Sequence, residues 1–468
     1  VDWPLQPSLL AALRAALQQS PRYAALATTL QGLILQGELL PGDRLPAERR
    51  LADQLGLSRS TVVAAYARLA EGGWVSTRQG QGSSVCAGPP GHVASRKRRV
   101  ALGSPALRRL SGSEHETWID FALATAVPDL AWLQPSAAAA SLVLRESAYQ
   151  PEGMLALRER IAARYSRQGL VTTPDQILVC AGAQQAISLV AQQYLAPGDS
   201  VLMETPNYFG AIDVLRSCGV HLDGIAVQAQ ARHAPAFIAA LAQSRHKLAY
   251  VCPALHNPTG LSWSQAAVER LARTAAQGSC LLLVDDSLAE LHFEACPRPL
   301  PAAAGAPVVH IGSLSKTLWA GLRIGWLRAP APIIETLRRA KANADIACSS
   351  LSAALACDLL DRYDSLLTLR RSQLQEQARH LHALLQEHLP GWHVRQPEGG
   401  LFLWAGLPAQ GRDASAWVET AAALRVRLSP GPALSVGAGH ERHLRLAFTQ
   451  APALAREGVL RLAASLAC

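Results

Sequence analysis

Lysine is the scarce residue of this chain. There are four, Lys97, Lys247, Lys316 and Lys341, in a total of 44 lysines and arginines. A chain that draws almost all of its positive charge from arginine makes each lysine worth placing. Aromatic residues are also few, at 5%, while alanine and leucine abound, so helix should be plentiful. No apolar run approaches the length of a membrane span, and the start, Val1-Asp-Trp-Pro, does not read as a signal peptide. The nine cysteines include no CxxC pair and their number is odd, which excludes a disulfide framework and suits a reducing cytoplasm.

At 468 residues and 49% apolar, the chain has the length for two or more domains and ample material for a core. Its net charge of +9 is uneven, because residues 1–99 hold twelve Arg or Lys against six Asp or Glu. A basic front end on a near-neutral body points to a polyanion partner there. Residues 1–20 read as a short extension, one helix packed on the segment after it. From Tyr23 an amphipathic pattern through Leu26, Leu30, Leu33 and Ile34 stops at Gly37. Leu40 to Pro46 is a turn-rich connector. Glu48 to Leu55 is a second helix, broken by Gly56. Ser58 is a good N-cap for a third, Arg59 to Glu71, ended by Gly72 and Gly73. Trp74-Val75 and Ser84-Val85 read as strands around a flexible hairpin from Thr77 to Gly82.

Short helices and a hairpin over residues 21–86 make a winged helix-turn-helix. Arg59, Ser60 and Thr61 stand at the N-terminus of the third helix. There the dipole favours phosphate, and short polar side chains reach base edges. Arg78 on the hairpin suits a groove, and Arg44 and Arg49 suit backbone phosphates. Winged helices also serve protein contacts. The run PGDRLPAERRLADQLGLSRSTVVAAYARLAEGGW followed by RQGQGSSV, however, resembles the head of the GntR family along its full length. That resemblance implies double-stranded operator DNA as partner and Arg44, Arg49, Ser58, Arg59, Ser60, Thr61, Arg78 and Gly80 as its contacts. Residues 87–117, with Arg96-Lys97-Arg98-Arg99, read as a linker. The plainer reading of that basic cluster is a solvated tether; the functional one is extra, salt-sensitive phosphate contacts.

From Trp118 to the end, apolar strands alternate with helices, the α/β pattern of a mostly parallel sheet. The stretch Ser313-Leu-Ser-Lys316-Thr-Leu-Trp-Ala-Gly-Leu-Arg323-Ile-Gly325 follows an apolar run that reads as a buried strand. Of the four lysines, only Lys316 has this Ser/Gly setting at a strand's mouth. Lys247 and Lys341 sit among polar or helical neighbours. An amine in a partly dry pocket loses its proton more easily and can attack an aldehyde. Ser313 and Ser315 add hydroxyls and Arg323 a planar cationic fork, a set that suits an aldehyde carrying a phosphate. The segment resembles the Schiff-base segment of fold type I pyridoxal-phosphate enzymes, and most closely the MocR branch. In that branch an aminotransferase-like domain is fused to a GntR-type head.

The resemblance covers most of the chain and implies a cofactor, pyridoxal 5′-phosphate, held as a Schiff base on Lys316. It implies that Gly182, Ala183 and Gln184, at a strand–turn–helix junction, cradle the phosphate. Tyr208 then stacks on the cofactor ring, Asn257 in Asn-Pro-Thr-Gly bonds its phenolic oxygen, and Asp285 pairs with its ring nitrogen. Asp286 reads as a solvated or helix-capping neighbour. Ser287 departs from the pattern, because many relatives carry a tyrosine there whose hydroxyl reaches the phenolic oxygen. Tyr149 matches a residue that reaches the neighbouring subunit's phosphate, which implies a homodimer with sites at its interface. From about residue 390 a small α+β subdomain follows. In it Arg445 matches the arginine that grips a substrate carboxylate, though alone it would read as a surface residue. The expected function is a cytoplasmic transcriptional regulator that senses an amino-acid-like molecule or the cofactor itself. A working aminotransferase carrying a DNA-binding head is the alternative, and residual half-reactions fit either.

Overall fold

In the body, four segments, ILVC, LAYV, LLLVD and VVHIGS, read as largely apolar runs rather than alternating ones, the mark of strands covered on both faces. The structure, a computed structural model, describes residues 13, 21–35, 39, 45–78, 82–86, 118–124, 132–134, 136–145, 149–228, 232–243, 245–294 and 306–466. The chain divides into two units, Val1–Gly103 and Ser104–Cys468. The expected 87–117 linker, the connector at 40–44 and all of the first twenty residues except Leu13 lie outside the described residues.

The front unit has helices α1 (Arg22–Leu35), α2 (Glu48–Leu55) and α3 (Arg59–Glu71), then strands β1 (Val75–Arg78) and β2 (Gly82–Val85). Gly56 closes α2 in the left-handed conformation at φ 66°, which costs glycine nothing. The Ser58 hydroxyl accepts the Thr61 N–H at 3.2 Å and so starts α3. Leu26, Leu30, Leu51, Val62, Leu69 and Trp74 bury together as the core of this unit. The strands pair antiparallel from Val75 opposite Val85 to Arg78 opposite Gly82. The hairpin is therefore tighter than the sequence suggested, because β1 runs through Thr77 and Arg78.

The body begins with β3 (Ile119–Asp120) and then builds a seven-stranded sheet. Its strands are β4 (Ile177–Cys180), β5 (Ser200–Thr205), β6 (His221–Ala226), β7 (Leu248–Val251), β8 (Leu281–Asp285), β9 (Val308–Ser313) and β10 (Gly325–Arg328). They lie in the order β4-β10-β9-β8-β7-β5-β6, and only β10 runs antiparallel to its neighbours. Such crossovers leave the carboxyl ends of the parallel strands along one edge, where open α/β sheets bind ligands. Helices Ala331–Ala344, Ser350–Asp361 and Tyr363–His388 follow. The C-terminal strands are β11 (His393–Val394), β12 (Phe402–Gly406), β13 (Val426–Arg427), β14 (Ser429–Pro430) and β15 (His443–Ala447). Four of them form a sheet in the order β11-β12-β15-β14, while β13 pairs with β3. The first described strand of the body therefore docks on its C-terminal strands, and the Ala447 N–H donates to the Phe121 carbonyl at 2.7 Å.

Helix Ala183–Tyr194 starts two residues earlier than the sequence suggested, with Gly182 at φ 90° as its N-cap. Close approach also fixes Gly325, at the start of β10. A Cβ there would meet the Gly182 backbone at 2.8 Å and the Gly312 carbonyl at 2.9 Å. Backbone on both sides cannot give way. Gly325→Ala should lower body stability by about 1–3 kcal/mol, seen as a fall in the urea midpoint.

Candidate functional site

Five chain segments leave the carboxyl edge of the sheet and close around one cavity. It is lined by Ala183, Gln184, Tyr208, Asn257, Asp285, Ser287, Ser313, Ser315, Lys316, Arg323 and Phe402, among others. The sequence placed most of these together, and the topology shows how. β9 ends at Ser313, whose hydroxyl accepts the Ser315 N–H at 3.2 Å and starts the short turn of helix that carries Lys316. β8 ends at Asp285, and the helix after β4 begins at Ala183.

The Lys316 amine donates to the Ala124 carbonyl at 3.0 Å. Burial lowers its pKa to about 8, helped by the nearby positive charges of Arg445 and Arg323 and opposed by Asp285. Burial raises the pKa of Asp285, although the Tyr250 hydroxyl donates to one carboxylate oxygen and the Ser287 N–H to the other, the latter at 2.9 Å. Tyr208 is pushed up to about 12, chiefly by burial and then by Asp285. A side chain at Gly210 would collide with the Tyr208 ring at 2.5 Å, so that glycine leaves the ring its place.

Arg445 is buried, not a surface residue. Its guanidinium donates to Asn257 Oδ1 at 3.0 Å and to the Ala122 carbonyl at 2.7 Å, and lies 4.1 Å from the Phe402 ring centroid. Burial lowers its pKa to about 10. The bond to Oδ1 leaves the Asn257 amide nitrogen as the end that can donate to a ligand. Arg323 adopts a left-handed φ of 54° and donates to the Ala181 carbonyl. A Cβ at Gly182 would reach the Arg323 guanidinium at 2.9 Å, so only glycine leaves room for that fork beside the turn.

Two expectations change. Asp286 is neither solvated nor capping. It meets His310 Nδ1 at 2.7 Å, with the imidazole 1% and the carboxylate side chain 14% exposed. Lys341, read as an ordinary helical lysine, is fully buried against Asp345 at 2.7 Å. Sequence reasoning also missed Tyr250 and the supporting segment Ala122–Ala124, neither of which carries a distinguishing pattern. Tyr149 is 76% exposed and is not among the residues lining the cavity of its own chain.

On the front unit, Ser58, Arg59, Ser60 and Arg49 are exposed and Thr61 half-buried. The hydroxyls of Ser60 and Thr61 both contact Ser58 Oγ, at 2.8 and 2.7 Å. Glu48 on α2 pairs with Arg59 at 3.2 Å, and Arg59 remains largely exposed. Arg44, Gly80 and the Arg78 side chain lie outside the described residues.

Two buried donors, Ser315 Oγ at the cavity and Nε of Arg445 beside its lining residues Asn257 and Phe402, find no partner among the described residues. Together with a helix N-terminus, a glycine turn and Arg323, they suit a ligand with an anionic group. The chain matches the description "Aminotransferase class I and II" over residues 128–462 and "Bacterial regulatory proteins, gntR family" over residues 22–85. It is 30% identical to the uncharacterized HTH-type transcriptional regulator YdcR of Escherichia coli, over 84% of this chain and 88% of that one. It is 27% identical to the probable rhizopine catabolism regulatory protein MocR of Rhizobium meliloti, over 78% of each. Among solved structures, α-aminoadipate aminotransferase LysN of Thermus thermophilus, complexed with N-(5′-phosphopyridoxyl)-L-leucine, superposes with a TM-score of 0.67. The identity is 28%, covering 77% of this chain and 94% of that one. Fold and cavity thus define a class I and II aminotransferase body behind a helix-turn-helix head. The chain belongs to the aminotransferase class I and II family, as a GntR-headed fusion of the MocR type. The cofactor implied is pyridoxal 5′-phosphate, and the donor set fits it.

The shifted amine has a measurable consequence. The folded-state pKa of Lys316 is lowered from 10.5 to about 8, so between those values the unfolded chain binds the extra proton. Stability of the cofactor-free protein should therefore rise with pH across that window. Lys316→Met should flatten that rise, as read by urea midpoints at its two ends.

Proposed function

We propose that this protein is a transcriptional regulator whose body senses an amino-acid-like molecule through pyridoxal 5′-phosphate on Lys316, and whose head binds operator DNA. The observation that carries this reading is a cavity lined by Lys316 and Asp285, with the buried Arg445 bonded to its lining residue Asn257, in a chain with a GntR-type head. When bound, the cofactor supplies an aldehyde carbon and an electron-accepting ring. The chain's part is to bind, orient and exclude water. The N–H groups of Gly182, Ala183 and Gln184, with Ser313, Ser315 and Arg323, are suited to the phosphate. Asp285, whose carboxylate makes no ion pair among the described residues, is suited to the ring nitrogen, Asn257 to the phenolic oxygen and Tyr208 to the ring face. The Lys316 amine, neutral above about pH 8, is poised to take and return a proton. Arg445 is the group for a ligand carboxylate, which restricts effectors to amino acids and similar acids.

Ser58, Arg59, Ser60, Thr61 and Arg49 would face operator DNA, with Arg44, Arg78 and Gly80 completing the contact by resemblance. The exposure of Tyr149 fits a homodimer in which it serves the partner's site. An exposed basic helix N-terminus without base-specific geometry supports DNA binding as a class and leaves the operator sequence to experiment. A second reading, a turning-over aminotransferase, is favoured by the completeness of the cavity's donor set, with Asn257 among them.

The full-length protein should give a spectral change that is stoichiometric with added amino acid, and should alter its affinity for its own upstream DNA. Arg445→Lys should keep the cofactor spectrum and lose the amino-acid effect on DNA affinity by about tenfold or more. Rapid, catalytic exchange of amino groups with a keto acid, with DNA affinity unchanged, would favour the enzyme instead.

A further inference from the structure

Lys341 is fully buried although nothing in the proposed chemistry uses it. Taking an ammonium out of water is costly unless its partner is well placed. Its amine donates to Asp345 Oδ1 at 2.7 Å, one turn on, just past the end of helix Ala331–Ala344. The other carboxylate oxygen, Oδ2, accepts from Gln185 Nε2 at 2.6 Å. That bond settles which way the Gln185 amide faces, because the nitrogen is held by the carboxylate. Gln185 Oε1 then accepts the Ala181 N–H at 2.7 Å. The Ala181 carbonyl, in turn, accepts from the Arg323 guanidinium.

The result is an unbroken polar chain from a buried lysine to the glycine turn. Ala181 is held on both sides, its N–H by Gln185 and its carbonyl by Arg323. Gly182 follows at φ 90° and caps helix Ala183–Tyr194 without a side chain of its own. Gln185, three residues into the start of that helix, does from behind what a capping side chain normally does from in front. A neutral residue in place of Lys341 would leave the Asp345 carboxylate half-buried and partnered by Gln185 alone. That carboxylate, no longer pinned by its cation, would hold the Gln185 amide less firmly.

We propose that Lys341 is a positioning residue for the phosphate end of the cofactor site, acting through Asp345 and Gln185 on the Ala181–Gly182 turn and Arg323. This rests on the reading that the cavity takes pyridoxal 5′-phosphate. It also goes beyond it, because the relay serves only the anionic end of the ligand. Pyridoxal, which has the same ring and aldehyde but no phosphate, is therefore the discriminating probe.

The test is a titration of the cofactor-free full-length protein with pyridoxal 5′-phosphate and, separately, with pyridoxal, followed by absorbance. Lys341→Met should weaken pyridoxal 5′-phosphate about tenfold or more and leave pyridoxal within about twofold. Gln185→Leu keeps the Lys341–Asp345 pair and guards against a folding defect; it should give the same phosphate-selective loss. In the double variant Lys341→Met/Gln185→Leu the losses should not add, because both act through one chain. Equal weakening of both ligands, or of neither, overturns the relay while leaving the cofactor reading intact. Failure of the unsubstituted protein to bind either ligand overturns the cofactor reading, and the relay with it.

Discussion

An amine held out of water at the mouth of a strand is the constraint on which the body depends. Lys316 bonds to a backbone carbonyl, and two arginines stand near enough to depress its pKa further. Such an arrangement is unfavourable for a charged lysine and favourable for a neutral, nucleophilic one. The same dry edge leaves Asp285 with a raised pKa and Arg445 with a lowered one. In each case burial disfavours the charged form, and each group has a counterpart on the proposed cofactor or effector. The sheet provides the rigidity for this. Residues from strands far apart in sequence are fixed to one edge because all but one strand run parallel.

The supporting shell is as informative as the lining. Arg445 and Lys316 both rest on the segment Ala122–Ala124, which follows β3, itself paired with β13. The Asp120 carboxylate accepts the N–H groups of Ala122 and Leu123 at 2.8 and 2.9 Å, which holds that segment in its turn. The beginning of the body thus carries the carbonyls on which its most distant functional side chain is oriented. A ligand that moved Arg445 would pull on this segment, the first described part of the body after the head.

Much of this was legible in the sequence. Apolar runs gave the strands, Gly56 and Ser58 gave the helix boundaries of the head, and the scarcity of lysine drew attention to Lys316. The seven-stranded order was not legible, because parallel pairing is set by packing between distant segments and leaves no local mark. The charged interior was not legible either. Lys341 and Asp345 look like an ordinary helical pair at i,i+4, and Asp286 looks like a residue at a strand's solvated end. Only the fold shows that each is enclosed, with a partner from a neighbouring turn or strand. Arg445 illustrates the opposite case, since alternation in β15 allowed either face and resemblance alone selected the buried one.

The most direct measurement is borohydride reduction of the cofactor-saturated full-length protein, followed by proteolysis and mass mapping of the modified peptide. A phosphopyridoxyl adduct is expected on the peptide that spans Lys316, and none on peptides carrying Lys247 or Lys341. An unmodified Lys316 in cofactor-saturated protein would contradict the reading of the body and leave the DNA-binding head without a sensor of this kind.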